Sequence, residues 1–390
     1  MNVGTETLHS PGFAVLDAVR ALGATIEADA DEISRERRLT PRVLDGLRTA
    51  GVFRMPVLRD HGGLELSPLE IVRVIDEIAY HDGSTGWVSM ICCDSGFYAG
   101  LLPDQSVARA MFANPDLLTA GWLSPAGRAE IVDGGFRVTG RWSFGSGVLH
   151  ADHVVGGCLA TVNGEMQFVD GKPHYVAALL PKADTVIHDV WHTTGLRGTS
   201  SNDYSVTDAF VPSAHTFTPF EVPTGNPPLH SYRGLIWGKL TGVPTGLLRR
   251  SIDEFEKLCT SKMSATMTKL KDEPRAQVAL AAAKADLDAC YGLIDRTLGS
   301  VWSTLEAGDQ PSVDQRAALA RTVVWVAQTA RASIERLAEE AGTAAIMEEN
   351  LFERIRRDAT MITHHVVGQR KSFALSGQMT LGIAQPFAIF

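Results

Sequence analysis

The sequence predicts an α+β fold in three consecutive parts: an N-terminal helical domain over 1–117, a central β-barrel domain over 118–222 and a C-terminal four-helix bundle over 223–390. Three observations predict it. Apolar residues recur at helical spacing from Phe13 to Ala113, as in the stripe Val15, Val19, Leu22. Near Leu118 the texture changes to short strand-like runs separated by glycine turns. After Pro223-Thr224-Gly225-Asn226-Pro227-Pro228 the helical spacing returns, in long segments at 232–262, 274–306, 311–342 and 345–376. Helices of that length in series bury their apolar stripes most simply as an antiparallel four-helix bundle.

Each element has its own signals. Thr40-Pro41 opens a helix, with threonine as N-cap and proline in the first turn, where its missing N–H costs nothing. Leu44, Leu47, Val52 and Phe53 carry that helix into a loop, and Arg59-Asp60-His61-Gly62-Gly63 is a turn. Ser67-Pro68 starts the next helix, through Ile71, Val74, Ile75 and Ile78, until His81-Asp82-Gly83 breaks it. In the middle part Ala129–Val132, Asp133-Gly134-Gly135 and Phe136–Thr139 read as a hairpin. Further strands are expected at His153–Ala160, Met166–Val169, Tyr175–Leu180, Thr185–His188 and Tyr204–Phe210. Pro274 and Pro311 stand where bundle helices should begin, and Gly308-Asp309-Gln310 and Gly342-Thr343 are loops.

Composition excludes several classes of function. The chain of 390 residues is 45% hydrophobic and 21% charged, the balance of an ordinary globular protein. Its formal net charge is −9 and no Lys/Arg block stands out, which argues against nucleic acid as a partner. No apolar run reaches the roughly 18 residues a membrane helix needs. The opening MNVGTETLHSPG is polar and has no signal-peptide core. Cys92, Cys93, Cys158, Cys259 and Cys290 show no metal-ligand spacing, and their odd number argues against a disulfide framework. A reduced, cytoplasmic protein with no bound metal is expected.

One stretch stands out as a candidate site. Arg141-Trp142-Ser143-Phe144-Gly145-Ser146-Gly147 brings aromatics, glycines and serines to the end of a strand. Glycine lets the backbone approach a flat ligand, aromatics stack on one, and serines exchange single hydrogen bonds. The other reading is a bulged strand end, where Gly and Ser are common.

The order helices, β-domain, bundle is that of the acyl-CoA dehydrogenase superfamily, and the chain resembles it at four places in the right order. These are Gly51-Val-Phe-Arg-Met-Pro56 with His61-Gly62-Gly63; Asp82-Gly-Ser-Thr-Gly-Trp87; Gly195-Leu-Arg-Gly-Thr-Ser-Ser-Asn-Asp203 with Val211-Pro212; and Ala341-Gly342 with Leu351-Phe352-Glu353-Arg354 and Arg357-Asp358. The superfamily holds dehydrogenases of acyl-CoA and two-component flavin-dependent monooxygenases, and two positions separate them. Laid on the dehydrogenase pattern G-x-K-x-W-I-T-N, the stretch from Gly140 to Gly147 puts Phe144 at the aromatic and Ser146 at the residue that reaches flavin N5. The catalytic Glu of many dehydrogenases, eight residues after the Asp of the last helix, is here Val366, which takes no proton. Oxygenase relatives often carry a His seven residues after that Asp, and His365 stands there. Ile355, Asp358, Ile362 and His365 share one face of a continuous helix, which would turn His365 inward and His364 away. The other reading of His365 is a satisfied core histidine.

The resemblance implies the oxygenase component of a two-component monooxygenase, hydroxylating a small aromatic substrate with reduced flavin (FMNH2 or FADH2) and O2 by way of a C4a-hydroperoxyflavin. His365 would act as general base, which imidazole suits because its unperturbed pKa is near 6.5, or would orient the peroxide, and Ser146 would be the group at N5. Trp122 and Ser124 are candidates for the flavin edge with Phe144 and Trp142, and β-domain core is the other place for Trp122. Trp87, Ser95 and Tyr98 are candidates toward the substrate, Ser95 standing where phenol hydroxylases often have a His, eight residues after Trp87. No GxGxxG follows a strand, so a separate NAD(P)H-flavin reductase is expected as partner. A homotetramer is implied as well. The alternative is a flavin dehydrogenase or oxidase with an altered base.

Overall fold

The structure is a computed structural model that describes residues 10–218, 222, 225–263 and 267–383. Pro223 and Thr224 of the expected linker lie outside the described residues, as do residues 1–9 of the polar opening.

Six helices, α1 (Pro11–Glu36), α2 (Pro41–Thr49), α3 (Pro68–His81), α4 (Gly83–Cys92), α5 (Asp94–Leu101) and α6 (Gln105–Met111), precede the first strand among the described residues. Val15, Val19, Ile26 and Ile33 form the buried stripe of α1. Thr40 caps α2 as expected, its Oγ1 accepting from the Val43 N–H. At α3, Ser67 and Glu70 cap reciprocally. Asp82 does two things: it ends α3 in an extended conformation and its carboxylate accepts from Thr85 N at 2.7 Å to start α4. Trp87, on the helix that starts there, is buried.

The β-region contains β1 (Thr119–Val132), β2 (Gly135–Gly145), β3 (His153–Val162), the short β4 (Glu165–Met166), β5 (Phe168–Val169) and β6 (Lys172–Pro173), then β7 (Tyr175–Pro181), β8 (Val186–His188), β9 (Asn202–Pro212) and β10 (Thr216–Phe217). Eight of them make one mixed sheet in the order β10-β7-β3-β1-β2-β9-β8, with β4 against β3; β5 and β6 pair separately. The β1–β3 pair is parallel. The sheet coils on itself. Tyr204 on β9 is three places from β3, yet its hydroxyl donates to Val155 O at 2.5 Å. Trp142 on β2 reaches over β1 to donate to Gly157 O at 2.8 Å. Gly127, Gly140 and Gly156 make room for that indole: a Cβ on any of them would sit within 2.4–2.7 Å of a Trp142 ring carbon.

The C-terminal helices are α7 (Leu235–Gly238), α8 (Gly242–Ser261), α9 (Pro274–Glu306), α10 (Val313–Ala341), α11 (Leu351–Ile362) and α12 (Phe373–Thr380). Two of the expected bundle helices differ. The first begins later, after a short 3₁₀ piece over Lys239–Thr241. The fourth is broken: α11 stops at Ile362, and a turn-rich segment runs to α12. Gly368 belongs to this turn and its N–H closes on His365 O at 2.8 Å. A Cβ at Gly368 would lie 2.6 Å from Ile362 O, so glycine permits the reversal. Among the described residues no helix is long and apolar enough to cross a membrane.

Candidate active site

The stretch at the end of β2 is both a bulge and the wall of a site. The register to β9 slips between Trp142 and Gly145, and Phe144 there takes a left-handed backbone at φ 64°. The slip turns Ser146 inward, where it is 6% exposed. Its Oγ accepts from Trp87 Nε1 at 3.0 Å and lies 2.7 Å from Ser201 Oγ. Ser201 Oγ is in turn 2.7 Å from Thr199 Oγ1, which donates to Leu196 O at 2.8 Å. The Gly147 N–H donates to Thr199 O at 2.9 Å and locks the two segments together.

His365 also lies against Trp87. The break after α11 corrects the expected continuous helix: His365 is placed by a turn, its N–H donating to Ile362 O at 3.1 Å, while His364 is exposed. Three indoles surround the imidazole, with ring centroids 5.2 Å away for Trp87, 6.2 Å for Trp122 and 6.1 Å for Trp237. His365 Nδ1 is shielded from solvent and has no hydrogen-bond partner among the described residues. Burial first, and the charge of Lys239 second, push its pKa down to about 4. The ring is neutral at physiological pH and presents one acceptor nitrogen among aromatic neighbours, of which Trp87 is buried while Trp122 and Trp237, like His365 itself, are partly exposed.

Sequence reasoning missed Lys239 and Asp94. Lys239 is 4% exposed, and its Nζ lies 2.7 Å from Asp94 Oδ1 and donates to Met90 Sδ at 3.4 Å. It follows Trp237 by two residues, so it enters the same region from the bundle side. The available signal was a lysine inside the apolar run Leu235-Ile-Trp-Gly-Lys-Leu240, where an ammonium needs a buried partner.

Other candidates fall elsewhere. Trp142 is fully buried in the β-core, stacked on Tyr204 with centroids 5.4 Å apart. It is not available to a cofactor, because strand alternation points it into the coiled sheet. The backbone N–H of Trp122 donates to Tyr204 Oη at 2.7 Å, and its ring turns to His365. Phe144 is 60% exposed and meets Trp191 edge-on at 6.4 Å. Ser124 is exposed at an irregularity between β1 and β3. Ser95 is saturated and so has nothing to offer a substrate: it donates to Cys92 O at 2.8 Å and accepts from Thr119 N at 2.8 Å and Thr119 Oγ1 at 3.0 Å. Tyr98 is a core residue, stacked on Phe217 with its hydroxyl 3.4 Å from Asp94.

The loop that carries Leu196 is held by Asp358, whose Oδ1 accepts from Leu196 N at 2.6 Å. Gly195 allows this, since a Cβ there would lie 2.4 Å from Arg357 O. Burial, then the nearby Asp82 carboxylate, push the Asp358 pKa up to about 7, against the pull of Leu196 N–H, Arg357 and Arg354. The folded chain therefore keeps a proton that an unfolded carboxyl has lost above its ordinary 3.8, and stability falls as pH rises between these values. Asp358→Asn keeps an acceptor for Leu196 N–H and removes the titration. It is expected to flatten that slope and to stabilise the protein above neutral pH by on the order of 2–4 kcal/mol, read as melting temperature against pH.

A flat, partly polar ring system fits these residues. Three indoles lie beside His365, its Nδ1 is a buried ring nitrogen with no hydrogen-bond partner among the described residues, and Ser146 keeps one hydrogen-bonding position beyond its contacts with Trp87 and Ser201. Such a site suits reduced flavin. Residues 14–101 match the family model "Acyl-CoA dehydrogenase, N-terminal domain" and residues 240–370 match "Acyl-CoA dehydrogenase, C-terminal domain". The chain is 32% identical to indole-3-acetate monooxygenase of Pseudomonas putida, covering 95% of this chain and 94% of that one. It is 29% identical to the flavin-dependent monooxygenase oxygenase subunit HsaA of Rhodococcus jostii, covering 87% and 90%. The crystal structure of 3-HSA hydroxylase from Rhodococcus sp. RHA1 superposes with a TM-score of 0.88 at 26% identity, covering 97% of this chain and 99% of that one.

Proposed function

The chain belongs to the acyl-CoA dehydrogenase superfamily, in its flavin-dependent monooxygenase branch, and from that premise we propose that it hydroxylates a small aromatic substrate carrying a ring N–H or O–H, with His365 as the acceptor of that proton. It is the oxygenase component of a two-component enzyme and uses reduced flavin and O2. A separate NAD(P)H-flavin reductase supplies the flavin. When bound, reduced flavin supplies two electrons and two protons, so that one atom of O2 enters the substrate and the other leaves as water.

The observation that carries the reading is the buried Nδ1 of His365, which has no hydrogen-bond partner among the described residues and lies beside three indoles. A neutral imidazole there orients a donor on the substrate and takes its proton as negative charge is passed to the ring carbon. With its pKa pushed down to about 4, it takes that proton during the reaction rather than before it. Trp87 holds Ser146 in place by its indole N–H. Trp122 and Trp237 offer flat faces for an aromatic substrate. The chain assembles as a homotetramer, a reading supported by exposed apolar side chains such as Phe144, Val190, Phe210 and Leu381.

The test supplies the protein with reduced flavin, isotopically heavy dioxygen and a panel of indoles, including indole-3-acetate, and phenols. One heavy oxygen atom is expected in the product of at least one panel member, at a yield that falls with competing hydrogen peroxide. Release of hydrogen peroxide alone with every substrate would overturn the proposal.

A further inference from the structure

The hydroxyl chain behind Ser146 has a fixed direction. It contains four oxygens, those of Leu196 O, Thr199 Oγ1, Ser201 Oγ and Ser146 Oγ, joined by contacts of 2.8, 2.7 and 2.7 Å. Each contact needs one proton between its oxygens, because two bare lone pairs at that distance repel. Three hydroxyl protons are available for three contacts, and the carbonyl at the end has none to give. Thr199 therefore donates to Leu196 O, Ser201 to Thr199 and Ser146 to Ser201. Trp87 Nε1 adds a donor to Ser146 at 3.0 Å. Leu196 O is itself anchored, accepting Trp191 Nε1 at 2.9 Å while the Leu196 N–H is tied to Asp358.

We propose that Ser201 and Thr199 are positioning residues that hold the Ser146 hydroxyl as an acceptor only, so that the site selects reduced flavin, which presents N5–H, against oxidised flavin, whose N5 is a bare acceptor. This rests on the flavin reading above and on Ser146 standing at N5. The polarity is set three residues away from the ligand, by a carbonyl that cannot reverse. A bare N5 facing the lone pair of Ser146 leaves two acceptors unpaired, whereas N5–H satisfies one with the other. The Ser-Ser and Thr-Ser contacts are buried, with Thr199 1% and Ser201 4% exposed, so water does not readily replace the missing proton.

The experiment titrates the full chain anaerobically with reduced and with oxidised flavin, following flavin fluorescence or heat. Wild type is expected to bind the reduced form at least about tenfold more tightly, the size of one misplaced buried hydrogen bond. Ser201→Ala frees the Ser146 proton to turn toward N5 and is expected to shrink that ratio about tenfold, mainly by tightening oxidised flavin. Thr199→Val unlocks the same chain one step further back and reads the same quantity if the first variant does not fold. Ser201→Thr keeps the hydroxyl and should retain the wild-type ratio. A ratio unchanged in both Ser201→Ala and Thr199→Val, or a wild type that binds both forms equally, overturns the proposal. Absence of binding by either form to wild type overturns the flavin reading itself.

Discussion

Replacing His365 by alanine is expected to lower the rate of product formation by about 10²–10⁴-fold, the range for loss of a positioned general base. Consumption of reduced flavin and O2 should continue, with hydrogen peroxide taking the place of hydroxylated product, because the variant removes the proton acceptor and leaves the indole enclosure standing. Single-turnover product yield measures this directly, and a yield within twofold of wild type would remove His365 from the mechanism. A second readout distinguishes chemistry from packing. The imidazole sits in the folded chain with its pKa pushed to about 4, below the ordinary 6.5. The unfolded chain therefore takes up a proton first as pH falls, and stability is lost through the interval from 6.5 down to 4. His365→Ala is expected to lose that acid-side sensitivity in melting experiments. For the wild-type rate, the acid limb due to this residue should fall near 4 in the absence of substrate.

Asp94→Ala is expected to have the largest effect on stability. It strips the Lys239 ammonium, 4% exposed, of its carboxylate and leaves Met90 Sδ as its named contact. Breaking one partner of a buried pair costs about 3–5 kcal/mol, a large part of a typical folding free energy. Insoluble or low-melting protein is the expected outcome. The double replacement Asp94→Ala with Lys239→Met removes both charges and fills the space with an apolar chain, and should recover most of the loss. The thermodynamic cycle over both singles and the double gives the coupling, and near-additivity would show that the pair is not the source. The double variant also removes the second cause of the low His365 pKa, so the acid limb attributed to that imidazole should move up toward its ordinary value.

Long-range order along the chain was legible because it is written in local signals. Pro274 opens α9, and Ser312 with Gln315 caps α10 one residue after the expected Pro311. The switch from helical to strand texture near Leu118 falls beside the observed start of β1 at Thr119. The four motifs led to the family, and the stretch Gly140–Gly147 with Val366 and His365 led to its monooxygenase branch. Side-chain destinations were less legible. Trp122 and Trp142 look alike in sequence, and only the coiling of the sheet sends one to His365 and the other into the core. Ser95 reads as a free polar group until Thr119, 24 residues on, fills both its lone pairs. The Lys239–Asp94 pair joins residues 145 positions apart, and no window of sequence contains both. The break after α11 was hidden because Ile355, Asp358 and Ile362 continue to His365 in perfect helical period, while the reversal depends on Gly368, beyond it.

The break between α11 and α12 separates reactivity from architecture. On an unbroken helix, inserting one residue before position 365 would swing every later side chain by about 100° and misalign the bundle. Here the imidazole rides on a connecting turn, and the packed layers α8, α9 and α10 do not depend on its register. Descendants of this scaffold that keep Val367 and Gly368, which anchor the turn to the core and to α10, can exchange the reactive group at position 365 without shifting the register of the packed helices.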